Sequence, residues 1–288
     1  MLTNTFCHLP GVGEKTERSV WAAGVNCWEA ALSKMTEPTR PLKAAWSTHL
    51  QESVQHHQCR DLGYFTSKLR LNQHWRIYQE FQEFCVFLDI ETTGLYYGAE
   101  ITTAVLYDGR TIRTYINGEN LAELPNDLAD YAVLITYNGR SFDIPFIERY
   151  FQIRLPQAQI DLRYILRQLG LKGGLKGCER MLGIQRPGME EVDGYVAVLL
   201  WNEFQRRQDP KALETLLAYN IQDTLSLHTL MVHAHNSHVT ATPFSASHCL
   251  PAPSLPDSPY QADHDALDRV CFRAGFSSNV SRSWATSY

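Results

Sequence analysis

The stretch FLDIETTGL, residues 87–95, ends a run of large apolar residues on two carboxylates spaced by one residue, Asp89 and Glu91. Because strand side chains alternate between faces, residues two apart project in the same direction. Two like charges a few ångströms apart raise each other's proton affinity unless a positive group lies between them. A divalent cation meets this need. For an isolated pair, however, the ordinary interpretation is a helix N-cap or a surface strand end with two solvated acids, so the metal site depends on further acids elsewhere in the chain.

The surrounding pattern predicts a central β-strand. In FCVFLDI, residues 84–90, apolar side chains occupy both alternating sets, which is typical of a strand covered on both faces. Further strands are predicted over 101–107 (ITTAVLY), 110–116 (RTIRTYI) and 132–137 (AVLITY), and helical patterns dominate from Pro145 to about His235. A hairpin-linked group of strands followed by helices predicts an α/β fold with a mixed sheet.

A third acid lies in YNGRSFDIPFI, residues 137–147. Pro145 suits the first turn of a helix, so Asp143 is expected at or near the N-cap of that helix. Capping alone would account for Asp143. It does not account for Asn138 and Phe142, an amide and a large apolar side chain beside the acid in a loop.

A fourth acid lies in LETLLAYNIQDTLSLHTL, residues 213–230. On a helical period, five of these residues share one stripe: Leu216, Tyr219, Asp223, Leu227 and Leu230. The stripe places Asp223 on an apolar face with Tyr219 one turn away. An unpaired buried carboxylate costs several kcal/mol, so Asp223 needs a partner, either a metal ion or in part the Tyr219 hydroxyl.

Together the three segments resemble the motifs of the DEDD 3′-to-5′ exonuclease superfamily, in its tyrosine-bearing branch, on the RNase H-like fold. Three further segments are similar to the bacterial YprB-type nuclease family: HLPGVGEKTERSVWAAGVNCW (8–28), LNQHWRIYQEF (71–81) and IDLRYILRQLGLKGGLKGCERMLGIQRPG (160–188). The likeness covers about residues 6–232. It implies an RNase H-like mixed β-sheet flanked by helices, with a small α-helical module at the N-terminus.

The resemblance also implies residue roles in a two-metal mechanism with Mg²⁺ or Mn²⁺. Asp89 would bridge both ions, Glu91 and Asp223 would complete the nucleophile-side ion, and Asp143 would act on the second. Tyr219 would orient the attacking water. By likeness to polymerase proofreading domains, the terminal nucleotide would be held by three residues: Leu95, Asn138 and Phe142. For these three, ordinary loop packing is the alternative.

The implied function is hydrolysis of phosphodiester bonds of DNA from single-stranded 3′ ends, releasing nucleoside 5′-monophosphates. An RNA exonuclease or a structure-specific nuclease of the same fold is the nearest alternative, because no motif reads a 2′-hydroxyl. A catalytically silent module that binds nucleic acid is the alternative from another class. No nucleotide cofactor is expected.

The chain is predicted to have three regions. Residues 1–78 form a helical N-terminal module, residues 79–235 the RNase H-like exonuclease domain, and residues 236–288 a flexible Ser- and Pro-rich tail. The module begins with a turn, LPGVG, that resembles the hairpin of a helix-hairpin-helix motif, in which backbone N–H groups grip a phosphate. A plain structural turn is the alternative.

The composition of the chain indicates where the protein is located in the cell and which partners it can bind. The N-terminus lacks the pattern of a signal peptide and no apolar run is long enough to span a membrane, so a cytoplasmic protein is expected. Seven scattered cysteines indicate reduced thiols. The net charge of −5 argues against coating of nucleic acid. The segment from Arg149 to Arg186 contains eight basic residues and only two acids. This local excess of positive charge is typical of either a phosphate track or a solvated basic surface.

Overall fold

Five strands form one mixed β-sheet at the centre of the fold. The computed structural model describes residues 1–35, 44–186, 188–189 and 193–274. The strands are β1 (Cys85–Thr92), β2 (Ile101–Tyr107), β3 (Ile112–Ile116), β4 (Val133–Thr136) and β5 (Ala158–Asp161), in the order β3-β2-β1-β4-β5. Strand β1 pairs antiparallel with β2 and parallel with β4, so the predicted mixed sheet is confirmed.

Two strand predictions differ from the structure. Strand β3 begins at Ile112, later than predicted, because the N–H groups of Arg110 and Thr111 donate to the Asp108 carboxylate and extend the turn. Strand β5 was not predicted at all, since this region was expected to be helical. It has only four residues, between Pro156 and the helix that begins at Leu162, and so short a segment carries no readable period.

Helices surround the sheet on both sides. The N-terminal helices are α1 (Glu14–Ala22), α2 (Trp28–Met35), α3 (Ala44–Gln58), α4 (Leu62–Lys68) and α5 (Trp75–Phe81). The later helices are α6 (Leu124–Leu128), α7 (Asp143–Phe151), α8 (Leu162–Gln168), α9 (Gly174–Leu182), α10 (Gly194–Arg207), α11 (Pro210–Thr240), α12 (Ser245–His248) and α13 (His264–Arg273). Within the described ranges, no helix has both the length and the apolar character that crossing a lipid bilayer requires.

The alternating side chains of β1 enter two separate hydrophobic cores. Phe87 packs in a core that also contains Leu227 of α11, whereas Leu88 packs in a second core with Ile147 of α7. The first core continues into the N-terminal helices through Phe65 and Trp75, both almost fully buried. Because α11 and α7 cover opposite faces, functional groups from both helices reach the end of β1.

Residues 236–274 differ from the expected flexible tail. Helix α11 continues to Thr240, and α13 buries Leu267 and Val270 in a core shared with α10 and α11. An ion pair between Arg269 and Asp209, at 2.6 Å, adds to this contact. Helix α13 buries only four apolar residues, Ala266, Leu267, Val270 and Cys271. In a Ser- and Pro-rich segment so few residues do not give a clear helical pattern, so the helix was not predicted. Residues 275–288 lie outside the described part, and the predicted region boundaries otherwise stay predictions.

Candidate active site

The end of β1 presents Asp89 and Glu91 on the face that α11 covers. Both residues follow the alternation set by Cys85 and Phe87, which point into the core on that face. Asp89 pairs with Val105 of β2 in the ladder, and the register shifts just after Glu91. Both carboxylates are half-buried. The strand therefore delivers two acids side by side, as the sequence predicts.

Helix α11 brings three polar residues to these acids: Tyr219, Asn220 and Asp223. The helix begins at Pro210, after Asp209, whose side chain accepts from the Lys211 N–H at 3.0 Å. One carboxylate oxygen each from Asp89, Glu91 and Asp223 lies within 4.8 Å of the other two. The predicted apolar stripe is confirmed, because Tyr219 and Asp223 are both buried.

Asp143 reaches the same end of β1 from the opposite face of the sheet. It is the first residue of α7 and only 4% exposed. Its carboxylate accepts from the N–H of Ile90, between the two β1 acids, at 3.2 Å rather than capping its own helix. The charge of Asp143 therefore acts on both Asp89 and Glu91.

Burial disfavours the charged forms of these four acids. It is the largest cause for each of them. The pKa of Asp89, Glu91 and Asp223 is raised above the ordinary carboxyl value. The pKa of Asp143 is raised to about 7. The negative charges of neighbouring acids raise the pKa of Asp89 and Glu91 further. Such a set of oxygen donors suits a hard divalent cation such as Mg²⁺ or Mn²⁺, which would relieve the repulsion.

Asn220 is a site residue that the sequence interpretation missed. Its amide nitrogen donates to the Asp89 carboxylate at 2.7 Å. Its amide oxygen accepts from the Thr103 hydroxyl of β2 at 3.0 Å, so both ends of the amide are fixed. Asn220 therefore sets the orientation of Asp89. Its position next to Tyr219 in YNIQD was the available signal.

A buried arginine also belongs to this site. Arg186 is 5% exposed, and its guanidinium donates through two nitrogens to the Glu179 carboxylate, at 2.5 and 2.6 Å. Its third nitrogen donates to Asp223. Lys176 lies nearby, with its ammonium 4.8 Å from the centre of the Tyr219 ring. No spacing in the sequence links Glu179 or Arg186 to the acids, so neither was predicted.

The eight basic residues between Arg149 and Arg186 therefore differ in exposure, and Lys176 is half-buried beside Tyr219. Arg186 is buried against acids and cannot belong to a surface phosphate track. Six of the basic residues are exposed: Arg149, Arg154, Arg163, Arg167, Lys172 and Arg180. These six leave both a phosphate track and a solvated basic face open.

The three predicted substrate residues lie on loops. Leu95 follows β1 and is 85% exposed. Asn138 adopts a left-handed backbone with φ of 66°, and its side-chain oxygen accepts from Arg163 at 2.5 Å. Phe142 is half-buried, with its ring centre 5.7 Å from that of Phe146. Loop packing thus accounts for part of the surroundings of Asn138 and Phe142, but not for Leu95.

A glycine makes the loop after β4 possible. A Cβ atom on Gly139 would lie 2.3 Å from the Thr136 hydroxyl oxygen, a distance that no side chain tolerates. The N–H of Ile144 then donates to the Gly139 carbonyl at 2.9 Å. This compact turn brings the start of α7, with Asp143, back to β1.

Comparisons with known proteins agree with this architecture. The sequence profile of the RNase H superfamily matches residues 86–235, more than half of the chain, and the match includes all four acids. The uncharacterized protein YprB of Bacillus subtilis (strain 168) is 34% identical over 170 residues, which are 51% of this chain and 41% of that protein. The alignment thus spans less than half the length of that relative.

A solved structure also shows a likeness. The family B DNA polymerase of the archaeon Pyrobaculum calidifontis matches with a TM-score of 0.42 and 14% identity, over 58% of this chain and 27% of the polymerase. A likeness at this level supports no statement about function. From the superfamily match and the five-stranded mixed sheet, we conclude that this chain belongs to the RNase H superfamily of nucleases and is a relative of YprB.

Proposed function

We propose that the protein is a divalent-metal-dependent 3′-to-5′ exonuclease that hydrolyses DNA at single-stranded 3′ ends and releases nucleoside 5′-monophosphates. One observation carries the proposal: the carboxylate oxygens of Asp89, Glu91 and Asp223 lie within 4.8 Å of one another. Acids gathered in this way repel phosphate unless cations accompany them. With cations bound, the same acids create a phosphate site.

The four acids would hold two ions, Mg²⁺ or Mn²⁺. Asp89 would bridge the ions, Glu91 and Asp223 would serve the nucleophile side, and Asp143 would serve the second ion. The bound ions would polarise the scissile phosphate and lower the pKa of the attacking water. Asn220 supports this arrangement, because its hydrogen bond keeps one face of Asp89 fixed.

Tyr219 would orient the attacking water. Burial and the neighbouring acids raise the pKa of its hydroxyl above the ordinary value, so the group stays protonated and can donate a hydrogen bond at neutral pH. Asp223 lies one helical turn further along α11. A water held between these two residues would be directed toward the end of β1.

Leu95, Asn138 and Phe142 would hold the terminal nucleotide. All three lie on loops that follow the strands carrying or adjoining the acids. The LPGVG turn, just before α1, would contact a backbone phosphate further along the strand.

DNA is favoured over RNA by the resemblance alone, so RNA is the second candidate substrate. A structure-specific nuclease with the same chemistry would differ in where it cuts. A silent binding module is disfavoured by the acids themselves, since a protein that only binds nucleic acid gains nothing by gathering four carboxylates, two of them buried, where phosphates must lie.

The test is digestion of single-stranded DNA labelled at its 5′ end, with Mn²⁺ or Mg²⁺, beside matched RNA and duplex substrates. A ladder that shortens from the 3′ end, absent with Asp89→Asn, supports the exonuclease. Internal cuts retain the nuclease but contradict end-directed hydrolysis. Absence of cleavage of every substrate by a folded, metal-binding protein contradicts the proposal.

A further inference from the structure

The loop between β1 and β2, residues 93–100, exposes three large apolar side chains in succession. Leu95, Tyr96 and Tyr97 are 85%, 62% and 99% exposed. Isolated exposed apolar residues are ordinary, but a contiguous exposed apolar group on a protein surface is often functional. Among the described residues, no other exposed large hydrophobic residues are consecutive.

Hydrogen bonds within the loop fix its conformation. At its base, the Thr93 N–H donates to the Glu100 carbonyl, and the Glu100 N–H donates to the Thr93 hydroxyl, both at 2.9 Å. Near its tip, the Ala99 N–H donates to the Tyr96 carbonyl at 3.1 Å. The aromatic residues are therefore presented to solvent by a closed loop, which lowers the entropy lost when a ligand binds.

Tyr96 is itself anchored. Its hydroxyl donates to the Thr93 hydroxyl at 3.3 Å, and its ring lies against Gly94, where a Cβ atom would come within 2.9 Å of the ring. Gly94 has a φ of +148°, which favours glycine. The ring of Tyr97 has no such contact, as its exposure shows. The ring of Tyr96 thus stabilises the loop, while the ring of Tyr97 is exposed and can contact a ligand.

The loop adjoins the candidate active site. Tyr97 is six residues beyond Glu91, so the two Cα atoms are at most about 20 Å apart even for a fully extended chain. The pairing of Thr93 with Glu100 shortens this path further. A strand whose 3′ end lies at the acids has its next few nucleotides within reach of the tip.

The residue types of this loop favour contact with the bases of a nucleic acid rather than with its phosphates. Residues 93–100 contain no lysine or arginine, and they include the exposed acid Glu100. The loop therefore offers nothing to attract a phosphate backbone. Aromatic rings stack on any base face, and bases are accessible for stacking when the strand is unpaired.

Building on the proposed nuclease function, we propose that Tyr96 and Tyr97 form a stacking platform for the bases of a single strand that enters the site. Tyr97 stacks directly, and Tyr96 holds the loop and extends the aromatic surface. Because bases inside a duplex already stack on each other, the platform favours unpaired 3′ ends over paired ones.

The test measures binding of single-stranded DNA that carries the fluorescent base 2-aminopurine near its 3′ end. Tyr97→Ala is expected to weaken this binding roughly 5- to 150-fold, the range that corresponds to one lost base stack. Tyr97→Phe keeps an aromatic ring and retains both binding and quenching of the fluorescence. Tyr97→Leu keeps an apolar side chain without a ring and behaves like the alanine variant.

Kinetics and strand preference provide the second readout. In the Tyr97→Ala variant the loss is expected in KM rather than kcat, and the preference for single-stranded over duplex substrate falls by the same factor. Binding of Mn²⁺ by the variant, measured by calorimetry, stays within about twofold of wild type, since no metal ligand is touched.

Three results would overturn the platform. One is wild-type binding by Tyr97→Ala and by the Tyr96→Ala/Tyr97→Ala double variant. Another is equal loss in the Phe and Ala variants, which excludes stacking. The third is a change in sedimentation on substitution without a change in DNA binding, which identifies a protein contact instead. If wild type degrades DNA while the variants match it, the platform alone fails; if wild type neither binds nor degrades nucleic acid, the nuclease proposal fails first.

Discussion

The guanidinium of Arg186 donates to Asp223 through one nitrogen while its other two nitrogens donate to Glu179. Both ion pairs are buried, with the three side chains between 1% and 9% exposed. Glu179 fixes the plane of the arginine, so the nitrogen that faces Asp223 has little freedom to turn. One acid of the candidate metal site is therefore oriented by a residue outside the recognised motifs.

Replacement of Arg186 should destabilise the metal-free protein. Arg186→Met leaves two buried carboxylates without their cation, and the free energy of unfolding is expected to fall by about 3–5 kcal/mol in urea titration. Arg154→Met is the matched control, because Arg154 is 89% exposed and its pair with Glu148 contributes about 1 kcal/mol or less. Equal losses in the two variants would contradict the structural role of Arg186.

Manganese should stabilise the wild-type protein. At a free Mn²⁺ concentration about 100 times the dissociation constant, the free energy of unfolding is expected to rise by about 2.7 kcal/mol, and chelation should reverse the gain. Asp89→Asn should remove most of this gain, because Asp89 belongs to the carboxylate cluster. Glu119→Gln, at an exposed acid, is the control. An equal gain in all three proteins would place the metal elsewhere.

Asn220 should be required for the orientation of Asp89. Asn220→Ala removes the hydrogen bond to Asp89 and leaves the Thr103 hydroxyl without its acceptor. We expect Mn²⁺ affinity and nuclease activity to fall roughly 10- to 100-fold, as for other residues that support metal ligands. Thr103→Ser keeps the hydroxyl and should retain both. Wild-type metal affinity in Asn220→Ala would show that Asp89 orients without help.

Tyr219 should act in the chemical step. Tyr219→Phe keeps the ring that packs under Lys176 but removes the hydroxyl. The expected result is a kcat lowered roughly 10²-fold or more with little change in Mn²⁺ binding, as for the loss of a group that directs a proton or water. The measurement is single-turnover cleavage of labelled DNA. Loss of Mn²⁺ binding in this variant would indicate a structural role for the hydroxyl instead.

The acid cluster should make the metal-free protein less stable as pH rises. Folding raises the pKa of Asp143 to about 7, above its value in the unfolded chain, so between about pH 4 and 7 the folded state holds a proton that the unfolded state has lost. Stability contributed by that proton therefore falls with rising pH, by at most about 1.4 kcal/mol per pH unit.

Urea titrations of metal-free protein at several pH values measure this slope. Asp143→Asn should flatten it, because the amide does not titrate. Saturating Mn²⁺ should reverse it, since protons compete with the cation for the same oxygens. A metal-free slope that is identical in wild type and Asp143→Asn would assign the pH dependence to other groups.

Much of this protein could be read from its sequence. The strand that ends at Asp89 and Glu91 is predicted by its two alternating sets of apolar residues. The helical period alone places Asp223 one turn from Tyr219 on the apolar stripe of α11. Such patterns are local, because a strand or helix imposes its repeat on the residues next to each other in the chain. The mixed sheet followed from these patterns, whereas the RNase H superfamily was implied by the resemblance of the three acidic motifs to known ones, and the family match confirms it.

Tertiary structure alone decided which distant groups meet. Arg186 and Glu179 have no shared repeat with the acids. Packing nevertheless buries Glu179 of α9 and Arg186 of the segment after it, and Arg186 pairs with Asp223 of α11. Strand β5 and helix α13 are likewise too short or too polar to predict, and each exists because the neighbouring strand or core accepts it. Local periodicity is written in adjacent residues, whereas partner choice among buried charges depends on three-dimensional proximity, which no single segment encodes.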